Sequence, residues 1–186
     1  MPLIFPIVYS LWLLSEILLN RFLRAKKTDK QNTDKGSMAL IWITIIFSNI
    51  SAVIISNWYP LPLSENSFVR YFGLSLIIIG MIFRFIIISN LGKFFTVDVT
   101  IKDNHKLKTD GFYKYVRHPS YFASLISFVG FGVTLNNWIS LALVFSLTLF
   151  AFLFRIRIEE KALLEHFGSE YVDYKKRTKT IIPLLY

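Results

Sequence analysis

Apolar residues fall in five long runs, at 2–20, 38–56, 68–90, 121–135 and 138–154, separated by short polar stretches. About 20 consecutive, mostly apolar residues are what a helix needs to cross the hydrocarbon core of a bilayer. The first run lacks a basic segment before it and a small-residue cleavage site after it, so it reads as a retained span. The fourth run is short for an independent crossing. Only Asn136 and Asn137 part it from the fifth, which predicts a helical hairpin with a tight turn. The pattern as a whole predicts an all-α integral membrane protein with five transmembrane helices.

The polar stretches have their own signals. Residues 94–101 alternate and are β-branched enough to be extended. Residues 108–111 form a turn with Gly111 at positive φ. Pro119 restrains His118 to extended backbone and suits the first position of a helix, so the fourth helix starts there. The fifth helix does not stop where its apolar run ends but continues in register to Gly168, a C-terminal stop. Residues 169–179 predict a second short amphipathic helix with Tyr171 and Tyr174 on one side.

Composition agrees with lipid. Of 186 residues, 54% are hydrophobic and only 18% charged, against ~25% charged in a soluble domain. The chain nevertheless carries 21 Lys+Arg against 12 Asp+Glu, a formal charge of +9. Six of the basic residues lie in 21–35, six in 93–117 and seven from Arg155 onward, while 57–67 and the Asn136-Asn137 turn hold none. By the positive-inside rule this predicts the N-terminus outside and the C-terminus cytoplasmic. The partner such loops imply is the anionic headgroups of membrane lipids and not nucleic acid, for which no motif is present. Two basic residues remain inside the third run. Arg84, six residues or about 9 Å from its end, reads as a cation snorkelling to the cytosolic interface. Glu16 reads as a local ion pair near Arg21. With no Cys and three His at unsuitable spacing, no metal site, disulfide or thiolate nucleophile is expected.

Polar functional groups concentrate after residue 90, which divides the chain into a three-span anchor (1–90) and a working half (91–186). Arg117, His118, Ser120 and Tyr121 gather at the start of the fourth helix, where unpaired backbone N–H groups can meet an anion or a polar cofactor. Arg155 and Glu159 lie four residues apart on one helix face at the membrane edge. Glu160 beside them reads equally as a site residue or a solvated helix face.

In order along the chain, the run His105-Lys106-Leu107-Lys108-Thr109-Asp110-Gly111-Phe112-Tyr113, then Arg117-His118-Pro119-Ser120-Tyr121, then Arg155-x-x-x-Glu159-Glu160, and finally Phe167-Gly168-x-x-Tyr171-x-x-Tyr174, resemble the isoprenylcysteine carboxyl methyltransferase family. The resemblance covers about residues 90–184. It implies a polytopic enzyme with a cytosolic C-terminal region that binds S-adenosylmethionine, releases S-adenosylhomocysteine, and methylates a lipidic or prenylated acceptor reached from the bilayer. Carried over by motif, the cofactor pocket uses His105, Lys106, Leu107, Lys108, Tyr113, His118, Pro119, Ser120, Tyr121 and Glu159, with Lys106 and Lys108 contributing backbone. Arg155 holds the acceptor carboxylate, and Arg155 with Glu159 forms the catalytic pair.

The chemistry suits these residues. A carboxylate is already ionised near pH 7 and attacks without a general base. The protein has to align two reactants and exclude water, which can be worth ~7–11 kcal/mol. A planar guanidinium grips a carboxylate in two places. Other acceptors, a lipidic hydroxyl or a phospholipid amine, stay open. A second reading is an NADPH-dependent sterol-reductase-like enzyme, which shares an Arg-His-Pro-x-Tyr segment. A third, a non-catalytic membrane protein or transporter, is weakened because polar residues crowd the rim and not mid-membrane.

Overall fold

A computed structural model describes residues 2–22, 36–92 and 107–182. The reading made for 94–101, most of the basic stretch 21–35, and the readings for His105 and Lys106 lie outside the described residues. Among the described residues the chain forms α1 (Ile4–Phe22), α2 (Ser37–Trp58), α3 (Phe68–Leu91), a 3-10 turn (Gly111–Lys114), α4 (Pro119–Thr134), α5 (Trp138–Phe167) and α6 (Ser169–Arg177). Gly111 and Gly168 both take positive φ, 59° and 54°, as their turn and stop roles require.

Four of these helices, α1, α2, α3 and α5, are long and apolar enough to cross a membrane. The fourth apolar run differs. α4 has 16 residues, about 24 Å of rise, less than a ~30 Å hydrocarbon core. It is also the helix most enclosed by protein, with eleven of those 16 residues buried. By contrast only 17% of the apolar window of α1, and of α2, is buried. Their outward residues, among them Ile7, Leu14, Ile43 and Phe47, are exposed and need a lipid environment.

α3 lies against α4 along a seam of small residues. A Cβ on Gly80 would stand 2.3 Å from Ser127 Oγ and 2.7 Å from the Ala123 carbonyl, and one on Gly73 2.6 Å from the Thr134 backbone nitrogen. The helix backbones are therefore in contact, and Ser127 Oγ donates to the Ile77 carbonyl at 3.3 Å. Such small-residue seams are how helices associate where burying apolar surface gives no advantage over lipid. α2 pairs with α5 in the opposite direction. Ser140 Oγ donates to the Ala52 carbonyl at 2.7 Å near one end, and Arg155 donates to Ser37 Oγ near the other. α1 is attached more thinly, through Phe5 on Tyr71, Tyr9 on Phe131 and Trp12 on Phe128, and a hydrogen bond between Tyr9 and Thr134.

The two-asparagine turn is stitched to the α2–α3 loop. Asn136, at φ 51°, exchanges hydrogen bonds with Ser64 at 3.1 and 2.9 Å. Asn137 caps α5 by accepting from Ser140 N at 3.0 Å and donates to the Tyr59 carbonyl at 2.7 Å. Asn137→Ala removes both bonds from a fully buried site. The expected cost is about 2 kcal/mol, read as a melting temperature roughly 4–8 °C lower in detergent.

Candidate functional site

At the opposite end of the bundle, residues 115–118 and 178–180 run side by side. Arg117 N donates to the Lys179 carbonyl at 2.8 Å, His118 N to the Thr180 carbonyl at 3.1 Å, and Lys179 N to the Tyr115 carbonyl at 3.0 Å. The Arg117 side chain reinforces this clip, donating from Nη1 to the Thr178 carbonyl at 2.5 Å and from Nη2 to Thr180 Oγ1 at 2.9 Å. Its Nε pairs with Glu160 Oε1 at 2.7 Å, and Lys175 Nζ meets Glu160 Oε2 at the same distance. Burial opposes ionisation of Glu160, but hydrogen bonds from His118, Lys175 and Arg117 outweigh it and hold the carboxyl well below its usual range. Glu160 is thus a structural hub tying α5 to α6 and to the start of α4, not a solvated face.

That clip positions the neighbouring polar groups. Tyr174 donates to the Tyr113 carbonyl at 2.7 Å, fixing the 3-10 turn over α6. Burial, and secondarily the charge of Glu159, push the Tyr113 hydroxyl above its usual range. His118 is 5% exposed, with Nε2 3.4 Å from Glu160 Oε1 and Nδ1 3.8 Å from Glu159 Oε2. Pro119 sits in the first turn of α4, as expected, and the His118 carbonyl accepts from Tyr121 N and Phe122 N at 3.2 and 3.3 Å.

A cavity of about 460 Å³ opens beside this cluster, between α1 and α2, with α4 as its back wall. Its polar end gathers Glu16, Asn20, Arg84, Ser120, Tyr121 and Glu159. Its remaining wall is mostly apolar, running from Met38 past Ile41, Ile45 and Ile50 to Ile54 on α2 and lined opposite by Trp12, Phe128 and Phe131, with Tyr9, Asn49 and Ser124 as its polar members. Met38 to Ile54 is 16 residues of helix, about 24 Å of rise. A polar head and an elongated apolar tail fit such a shape.

Arg84 is the one basic side chain lining the cavity among the described residues. Its side chain is held by protein partners. Its Nε pairs with Glu16 Oε1 at 2.9 Å and its Nη1 donates to the Ser120 carbonyl at 3.1 Å. Glu16 accordingly pairs with Arg84, not Arg21. The cause lies in helix phase: Gly73, Gly80 and Arg84 recur at seven and four residues, so the face of α3 that seats on α4 carries Arg84 one turn further, opposite Ser120. That spacing was the signal in the sequence for Arg84.

The expected site residues separate into two groups. Ser120, Tyr121 and Glu159 line the cavity, and Tyr113, His118 and Pro119 are buried at its polar end. Among the described residues Glu159 Oε2 is buried and accepts no hydrogen bond, with His118 Nδ1 3.8 Å away. Leu107 and Lys108 lie near the described edge, where Lys108 pairs with Asp110 at 3.0 Å. Arg155 stands apart. It is 1% exposed and is not among the cavity's lining residues. Its guanidinium bonds the Ser37 hydroxyl and lies close to Tyr121, which does line the cavity.

The described residues thus form a bundle of membrane-length helices around an elongated cavity whose polar end lies beside a clasped polar cluster. A family model described as the isoprenylcysteine carboxyl methyltransferase (ICMT) family matches residues 73–165. The chain belongs to that family. Protein-S-isoprenylcysteine O-methyltransferase B of Arabidopsis thaliana is 38% identical over 126 residues, covering 66% of this chain and 64% of that protein. The Rattus norvegicus protein-S-isoprenylcysteine O-methyltransferase is 34% identical over 148 residues, covering 77% of this chain and 49% of its own length. The chain thus spans less than two thirds of these relatives. Among solved structures, the eukaryotic intramembrane Ras methyltransferase ICMT matches with a TM-score of 0.65 and 26% identity, over 96% of this chain and 64% of that one.

Proposed function

We propose that this chain is an S-adenosylmethionine-dependent membrane methyltransferase that esterifies the carboxylate of a lipidic acceptor such as a prenylated cysteine. The observation that carries it is the cavity itself: among the described residues, one arginine and one buried carboxylate oxygen that accepts no hydrogen bond stand at the polar end of a mostly apolar slot. Bound there, S-adenosylmethionine supplies an electrophilic methyl group on a cationic sulfur.

The residues present fit that group. Glu159 Oε2 accepts hydrogen bonds from hydroxyl or amino groups and offers a negative charge to a cation. Tyr121 and Ser120, in the first turn of α4, face that cavity, with His118 packed behind Tyr121. Arg84 presents a guanidinium to the acceptor's carboxylate at the head of the apolar slot, while Arg155 holds the Tyr121 hydroxyl from behind. Trp12, Ile45, Phe128 and Phe131 exclude water along the tail. No residue has to remove a proton, because the acceptor arrives ionised.

In the bilayer the proposal places the Arg117–Glu160 clasp on the cytosolic side and the N-terminus outside, as the basic loops indicate. α4 and α5 form the hairpin, α4 being the fourth crossing, a short one surrounded by protein. Residues 1–90 then do more than anchor, since α1 and α2 build the acceptor's half of the cavity, and 91–186 supply the cofactor's half.

Full-length protein in detergent should bind S-adenosylhomocysteine and not NADPH in calorimetry; the reverse result overturns the reading in favour of a reductase. Labelled S-adenosylmethionine offered with a farnesylated cysteine analogue, a lipidic phenol and a phospholipid amine should label the first.

A further inference from the structure

Glu16 enters neither the family match, which begins at residue 73, nor the reaction as described, yet its carboxylate sits on the cation reserved for the acceptor. We propose that Glu16 competes with the acceptor's carboxylate for Arg84, and that α1, which carries it, moves aside when a lipidic acid binds. The inference rests on the methyltransferase reading above and adds a specificity-determining residue to it.

Three observations support the exchange. First, Glu16 Oε1 lies 2.9 Å from Arg84 Nε, and both side chains line the cavity with 21% and 15% of their surface exposed. A lipid carboxylate entering from the apolar slot reaches the same guanidinium. Second, Arg84 cannot follow Glu16 away, because its Nη1 is bonded to the Ser120 carbonyl at 3.1 Å on the α3–α4 unit. That unit is the most tightly seated pair of helices, with backbones in contact at Gly73, Gly80 and Gly130. Glu16 is therefore the mobile partner. Third, α1 is the lightly held helix. Its buried residues are Phe5, Val8 and Trp12, and the cavity lies between it and α2, toward which it sends the weak Asn20 Nδ2 contact to Met38 Sδ at 3.6 Å.

Charge makes addition without exchange unfavourable. With Glu16 in place, an incoming carboxylate would join Glu16 and Glu159 around a single arginine in a partly desolvated site, where like charges repel strongly. Releasing Glu16 trades one ion pair for another and leaves the acceptor to make two contacts with the fork. The apparent acceptor affinity is then reduced by the fraction of molecules in which Glu16 holds Arg84.

The test compares unsubstituted protein with Glu16→Gln in detergent, using a farnesylated cysteine analogue and S-adenosylmethionine. Removing the competing charge should lower KM for this acceptor about three- to tenfold, leave kcat within about twofold, and leave S-adenosylhomocysteine affinity unchanged. For a lipidic phenol, neutral at pH 7, any turnover should show no KM shift. Glu16→Asp, with a shorter reach, should give a smaller decrease in KM and serves if the glutamine variant purifies poorly. An unchanged or raised KM for the carboxylate acceptor overturns the proposal alone, since Glu16 would then merely brace Arg84. Absence of methyl transfer by the unsubstituted protein to any of these acceptors overturns the methyltransferase reading and this inference with it.

Discussion

Gly80→Leu should prevent the bundle from assembling as described. At this position even a single added carbon would lie 2.3 Å from Ser127 Oγ and 2.7 Å from both the Ala123 carbonyl and the Ser127 backbone nitrogen. A flexible side chain can rotate away from such a contact, but two of these three neighbours are backbone of α4. Relief requires the helices to separate along the seam, which forfeits the close contacts at Gly73 and Gly130 as well. Overpacking in an ordinary core costs ~1–3 kcal/mol; moving two helix backbones apart should exceed that range in a fold whose net stability is of order 5–15 kcal/mol. The expected readout is a melting temperature lower by ~10 °C or more in detergent, with S-adenosylhomocysteine binding lost because the Arg84–Ser120 contact and the polar end of the cavity are built across this seam. Ser75→Leu, on the exposed face of the same helix, should leave melting unchanged. A Gly80→Leu protein that melted like the unsubstituted one would show that the seam tolerates separation.

The same seam explains which features could be read from residue order. Helix ends were legible wherever a residue has a chemical reason to stop a helix. Gly168 ends α5, Pro119 opens α4 and Asn137 caps α5, and the observed bounds fall within a few residues of those expected. What runs of apolar residues cannot reveal is which helix needs lipid and which is wrapped by protein. α4 reads as a thin fourth span, but Gly73 and Gly80 on α3 provide the surface that encloses it. The site follows the same logic. The motif residues His118, Ser120, Tyr121 and Glu159 cluster because the 115–118 and 178–180 clip draws them together. Arg84 and Glu16 belong to helices outside the motifs, and only the rotational phase of α3 and α1 brings them to the cavity.

Phase also governs Arg155, where the expectation from sequence and the geometry part most clearly. Reading i and i+4 on one helix places Arg155 beside Glu159 as the group that grips the acceptor. α5, however, is turned about α2 by its polar contacts, Ser140 on Ala52 at one end and Arg155 on Ser37 at the other. Among the described residues the guanidinium bonds the Ser37 hydroxyl and lies close to Tyr121, which lines the cavity. We propose that Arg155 is a positioning residue, acting on Tyr121 and, through Ser37, on the start of α2. Truncating a buried charge also leaves its partners uncompensated, at ~3–5 kcal/mol, so Arg155→Ala mixes folding with function. Arg155→Met keeps most of the volume and should purify with a modestly lower melting temperature, while turnover falls roughly 100-fold, the scale of losing one preorganised donor. Tyr121→Phe removes the hydroxyl through which that effect travels and should cost about as much. The double variant decides between the two roles. If Arg155 works through Tyr121, the combined loss should be close to that of either change alone, as for groups acting as one unit. If Arg155 instead holds the acceptor directly, the losses should multiply toward 10⁴-fold, and the acceptor's KM should rise in Arg155→Met but not in Tyr121→Phe.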